Sequence, residues 1–254
     1  MRVLRAEWAK FWSLRSPWLT LVVSMVLLTG FGMMSASRYD PERGGGARFG
    51  GSSSDAVGVA LGGQGFAQLA IGILGVLLTA GEYSTGTIRS TMVAVPRRLP
   101  VLYSKATVSA VVVFVGATAA AVASFLAGQS ALAGTEIAGS LSDDGVLRAL
   151  LGAGLYFALV VVIGVALGAL IRSVAGGVAA VVVSLMLLPV LTDILPADLA
   201  EDVTPYLPSN AGGAIFALSH DSSTLSPSAG LVVFTAWVAL AMAAAAYRLK
   251  RSDV

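Results

Sequence analysis

The sequence predicts an all-α integral membrane protein. It has six transmembrane helices, an N-terminal interfacial amphipathic helix, and a short helix on the inner face between spans two and three. Three observations carry this prediction. Of the 254 residues, 56% are hydrophobic and only 12% charged, and mean hydropathy is +0.84; a water-soluble domain carries about 25% charged residues. Such a chain lacks the polar surface to cover itself in water, so lipid is the solvent that suits it. Six apolar stretches approach about 20 residues, the length a helix needs to cross the hydrocarbon.

The third observation is where the charges fall. With the N-terminus inside, the inner segments hold Arg2, Arg5, Lys10, Arg15, Arg89, Arg97, Arg98, Lys105, Arg172, Arg248, Lys250 and Arg251, twelve of the sixteen basic residues. They hold only three acids, Glu7, Glu82 and Asp253, of fourteen. The outer segments hold Arg38, Arg43, Arg48 and Arg148 with the other eleven acids. Positive charge gathers on the cytoplasmic side, so both termini are expected in the cytoplasm, in a bacterial-type plasma membrane.

The elements follow in order. Residues 1–16 read as the interfacial helix: Leu4, Trp8, Phe11 and Trp12 recur at helical spacing, and Arg2, Arg5, Lys10 and Arg15 are basic. Aromatic rings favour the headgroup level, and basic side chains favour anionic lipid. Pro17 is expected to break this helix and turn the chain into the membrane. A cleaved signal peptide fits poorly, because the first apolar run is too long and Glu7 interrupts the basic segment. Residues 17–254 then read as a single six-span domain, with spans at about 17–36, 64–80, 106–133, 146–171, 174–195 and 229–247.

The connections differ in character. The Gly- and Ser-rich segment "RYDPERGGGARFGGSSSD" cannot bury enough apolar surface to order itself and is expected to be a mobile outer loop. Only Arg172 and Ser173 separate spans four and five, which demands a tight hairpin. The last outer segment, 196–228, mixes prolines with Tyr206, Leu207, Ile215, Phe216 and Leu218. That mixture predicts short helices packed against the outer face.

The longest inner segment is "GEYSTGTIRSTMVAVPRRLPVLYSK", residues 81–105. Its Gly81-x-x-x-x-Gly86 opens like a phosphate-binding loop, but Thr87 and Ile88 stand where Lys and Ser or Thr are required. Nucleotide is therefore expected to be handled elsewhere. Ile88, Met92 and Val95 form one apolar stripe, so a short amphipathic helix is expected over about 82–95. Glu82 is placed near its start, where a carboxylate suits the dipole, and Pro96 at its end.

The order Glu82, Gly86-Thr87, Met92, Pro96, Arg98, Leu102, Lys105 resembles the signature of ABC-2 type transporter permeases, with Tyr83 and Ser84 replacing the charged residues usual beside the acid. The resemblance implies a permease that forms half of a dimeric, ATP-driven exporter. Residues 82–95 would be its coupling helix, docked on a separate ATP-binding subunit present in two copies. Glu82, Gly86, Thr87, Arg89, Pro96 and Arg98 would make or shape that contact, with Glu82 first and Arg89 second. Replacing Glu82 with Ala or Lys would then uncouple hydrolysis from transport and leave assembly largely intact. The resemblance further implies a second permease, identical or homologous, and ATP with Mg bound only by the partner. An amphipathic drug, antibiotic, peptide or lipid-like compound is the expected cargo, and nucleic acid is not expected as a partner. The alternatives are a non-transporting immunity or sensor module and a secondary carrier.

Other residues carry less. Gln64 and Gln68 lie one turn apart in the second span, either as a polar spot on the substrate path or as an interhelical hydrogen bond. Gly164 and Gly168 form a G-x-x-x-G, which lets helices approach closely. No charge stands mid-span, which disfavours a carrier coupled to protons or ions. With one histidine, His220, and no cysteine, neither a metal site nor a catalytic constellation is expected in this chain.

Overall fold

The computed structural model describes residues 2–13, 15–39, 55–95, 98–194, 196–218 and 224–251. Among these there are helices and short turns but no strand. In chain order the helices are α1 (Arg2–Ser13), α2 (Arg15–Ser37), α3 (Ala56–Ala60), α4 (Gln64–Ser84), α5 (Thr87–Ala94) and α6 (Arg98–Leu132). Then come α7 (Val146–Ile171), α8 (Val174–Val182), a π-helical stretch (Val183–Leu187), α9 (Leu188–Leu191), α10 (Ala197–Val203), α11 (Pro208–Ala214) and α12 (Pro227–Arg251). Six helices are long and apolar enough to cross a membrane: α2, α4, α6, α7, the continuous rod from Val174 to Leu191, and α12. This is the pattern of a multi-pass membrane protein.

α7 is the axis of the bundle. In its most apolar stretch 72% of residues are buried, against 17% in the rod from Val174 to Leu191. α4, α6 and α12 pack along it. The α4–α7 crossing is close because it is lined by glycine. A Cβ placed on Gly164 would lie 2.2 Å from the Gly72 carbonyl oxygen, and one on Gly75 would lie 2.3 Å from that of Val161. One on Gly168 would lie 3.0 Å from the Val76 oxygen. The Gly164–Gly168 pair therefore packs within the chain, against α4.

At the end of the bundle opposite α1, Arg148 donates to the carbonyls of Ile215 (3.3 Å) and Ala217 (2.7 Å), and Trp237 Nε1 donates to that of Tyr206 (3.0 Å). Gly212 of α11 lies so close to Tyr156 that a Cβ there would come within 2.2 Å of the ring. The 196–228 segment thus holds short helices, with α11 packed on α12 and α7.

Several boundaries differ from the sequence expectation. Pro17 sits in the first turn of α2 (Arg15–Ser37), where a missing N–H is tolerated. The third apolar helix begins at Arg98 rather than near residue 106 and runs for 35 residues. α12 starts at Pro227 and continues to Arg251. The short helix expected over about 82–95 is Thr87–Ala94. Gly86 takes φ 74°, a left-handed conformation suited to glycine, and this separates α5 from α4. Glu82 therefore belongs to the last turn of α4. Arg172, also left-handed at φ 60°, makes the expected tight turn, and Ser173 then caps α8 by accepting from the Gly176 N–H at 3.4 Å. The expected mobile loop lies almost wholly outside the described residues, as do Pro96 and His220.

Candidate functional site

The charged residues that sequence reasoning spread along one face converge on one place. α1 packs on α6 and on the start of α2, with Phe11 turned inward at 3% exposure and Leu4, Trp8 and Trp12 exposed. Glu7, one turn before Phe11, faces the same way and is 7% exposed. Lys105, on the second turn inside the α6 rod, is 5% exposed. Its Nζ donates to Glu7 Oε2 at 2.8 Å and to Glu82 Oε1 at 2.8 Å. Lys10 donates to the same Glu82 oxygen from the more open side. Two ammonium groups and two carboxylates thus tie α1, α4 and α6 into one knot, and their formal charges cancel.

Burial decides the strength of that knot. An exposed ion pair contributes about 0–1 kcal/mol. Here the Lys105, Glu7 and Glu82 side chains are 6%, 8% and 9% exposed, so each charge depends on its partners for solvation. One acceptor stays open: Glu82 Oε2 is buried and has no hydrogen-bond partner among the described residues.

A second contact holds the opposite flank of the same turn. The Arg172 guanidinium, from the α7–α8 turn, lies over the Tyr83 ring, 5.2 Å from its centroid. Arg248 donates to the Leu170 carbonyl and Arg98 to that of Leu249 (3.4 Å), so α6, α7 and α12 meet at this same end. Consecutive residues of α4, Glu82 and Tyr83, are therefore gripped from two sides immediately before the chain turns into α5.

α5 itself is half detached. Ile88 is buried at 6% exposure, whereas Thr87 and Ser90 are exposed and Val93 is 82% exposed. Thr87 and Thr85 hydroxyls share a 3.0 Å hydrogen bond across Gly86. Arg89 is on α5, and Arg98 opens α6. A cavity of about 370 Å³ lies between the ion cluster, α2 and α4, with Thr85 and Thr87 at its rim.

The glutamines occupy a different place. Gln68 accepts a hydrogen bond from the Tyr156 hydroxyl in the core, and both side chains are buried. That is the interhelical bond foreseen as the simpler alternative; Gln64 is half-buried, one turn earlier. Among the described residues no group of His, Asp and Glu is disposed to hold a metal. Sequence reasoning missed the partnership of Glu7 with Lys105 and the outward Val93. The signal for the first was present: a lone acid in a basic helix, four residues before an inward Phe. No family model and no curated protein matches this chain.

The burial of Glu82 revises one expectation about its replacement. Lysine there would put a third cation beside Lys10 and Lys105 and leave Glu7 as the cluster's one acid. Glu82→Lys is therefore expected to weaken the fold of the chain itself, read as a lower melting temperature in detergent.

Proposed function

We propose that this chain is the membrane-spanning subunit of an ATP-driven ABC-2 type exporter, with α5 as the lever that receives work from a separate ATP-binding subunit. In this reading both termini and α5 face the cytoplasm, as the distribution of basic residues favours. Two permeases, identical or homologous, form the pathway for an amphipathic cargo, and ATP with Mg is bound by the partner. The observation that carries the reading is the double grip on α4. A short helix exposes Val93 and is joined by a left-handed glycine to a turn clamped through Glu82 and Tyr83. A push on α5 is then passed to α1, α6 and the α7–α8 turn instead of being lost in a loose loop. The E-x-x-x-G-T…P-x-R…K order from Glu82 to Lys105 supports the same reading.

Because Glu82 is engaged inside the chain, the exposed side of α5 supplies the docking contact. The test is purification of the tagged full chain in mild detergent, identification of its companion, and ATPase assay of the complex. An ATP-binding companion that Val93→Asp releases, with the thermal stability of the chain unchanged, is the expected result. Transport of solute by the chain purified free of any ATPase would overturn the proposal.

A further inference from the structure

The cavity beside the ion cluster is a groove that runs along α4. Leu74, Leu77 and Leu78 wall one end, Thr85 and Thr87 stand at the other, and Thr20 of α2 faces them. Gly81 keeps the two ends joined: a Cβ there would meet nothing within 4 Å. From Leu74 to Thr85 is eleven residues, about 16 Å of helix. That matches about 15 Å, half the hydrocarbon thickness and so the depth of one leaflet. Leu77 is 39% exposed, so the apolar end is open to the side of the bundle. The polar end carries Lys10 of α1, a helix whose exposed Trp8 and Trp12 suit the headgroup level. The groove therefore has the length, the side opening and the depth that fit one acyl chain of the leaflet at this end.

Charge at the mouth selects the head. Glu7 and Glu82 are turned onto the two lysines, and their side chains are 8% and 9% exposed. Lys10 is the charged group of the lining that solvent reaches, with its side chain 34% exposed. An ammonium has three N–H donors, and Glu82 takes one of them. Ser16, also in the lining, is exposed, as are its neighbour Arg15 and, further back on α1, Arg5. With Glu7 turned inward, the charge that α1 and the first turn of α2 present to the surface is positive. Such a mouth attracts a phosphate and repels an ammonium. We infer that the groove holds one acyl chain of an anionic phospholipid of the phosphatidylglycerol class, whose phosphate accepts from Lys10 and Ser16 at the mouth. The phosphate stays at the rim, where water reaches Lys10, so no uncompensated charge is buried. The site lies within one chain and does not depend on the export reading.

The test uses the full chain in phosphatidylcholine nanodiscs doped with a phosphatidylglycerol that carries a photoreactive diazirine in one acyl chain, and labelled peptides are mapped. The same photoreactive chain on phosphatidylcholine is the reference probe. At equal probe content the phosphatidylglycerol probe should label the segment holding Leu74–Leu78 at least threefold more. Lys10→Gln should remove that preference and Lys10→Arg should keep it. Arg5→Gln takes an equal charge from α1 outside the lining and should leave most of the preference in place. Gly81→Phe puts a ring into the groove and should lose most of the labelling by both probes, while labelling of α12 around Leu240, 61% exposed, stays the same. If Gly81→Phe does not fold, Thr20→Phe blocks the groove from the facing wall and gives the same reading. Equal labelling by the two probes, a loss in Arg5→Gln as large as in Lys10→Gln, or undiminished labelling of the blocked groove overturns the inference.

Discussion

Lys105 is the best single place to test how the basic end of this bundle is held. Its ammonium stands 2.8 Å from Glu7 and 2.8 Å from Glu82, and all three side chains are less than a tenth exposed. Lys105→Met keeps the length of the stem and removes the charge. Glu7 then loses its lysine, and Glu82 retains only Lys10, whose side chain is 34% exposed. Removing one partner of a buried pair costs about 3–5 kcal/mol, because the charge left behind is uncompensated. Lys10→Met should cost far less, about 1 kcal/mol, since that lysine is already reached by solvent and Lys105 still neutralises Glu82. The triple variant Glu7→Gln, Glu82→Gln, Lys105→Met strands no acid and should recover most of the loss. Unfolding in detergent can be followed through Trp12 and Trp18, whose rings lie 4.2 Å apart where α1 meets α2. If Lys105→Met proves no more damaging than Lys10→Met, the knot is not what fastens α1 to the bundle.

Three further outcomes follow from the packing. Gly164→Val should destabilise by about 1–3 kcal/mol or more in denaturant titration, since even a Cβ there meets the Gly72 carbonyl at 2.2 Å; Gly81→Ala, with open space around it, should be neutral or stabilising. Tyr156→Phe should cost about 1–3 kcal/mol by leaving the buried Gln68 oxygen without its donor, and adding Gln68→Leu should restore thermal stability. Gly86→Ala meets no neighbour but must hold φ 74°, so about 1–2 kcal/mol of strain is expected, read as faster proteolysis at the α4–α5 junction.

The six long apolar helices were legible because a single property, apolar length, defines them, and each overlaps the stretch that hydropathy marked. The largest offset, at Arg98, arises because helix continues through the polar "RLPVLYSK" stretch; Pro100 lies in its first turn, where proline fits. Hydropathy measures solvent preference, and a helix can extend beyond the apolar part. The tight turn at Arg172 and Ser173 was forced by chain length alone. What remained hidden was which charges meet. Glu7, Lys10, Glu82 and Lys105 lie on three helices, the most distant 98 residues apart in sequence; the lone acid in a basic helix marks Glu7 as held, but nothing local to any of the four names its partner. Glu82 was placed near the start of the short helix because a carboxylate suits the dipole there. The left-handed glycine puts it on the other side of the break.

The wide turn at Val183–Leu187 gives the fifth rod a spare residue. A π-turn carries about one residue more than an α-turn, and each residue of an α-helix advances the azimuth by about 100°. Everything from Leu188 onward is therefore swung around the rod's long axis relative to an unbroken α-helix. Val190 and Leu191, 58% and 48% exposed, point along a different meridian from the one the first nine residues would have assigned them.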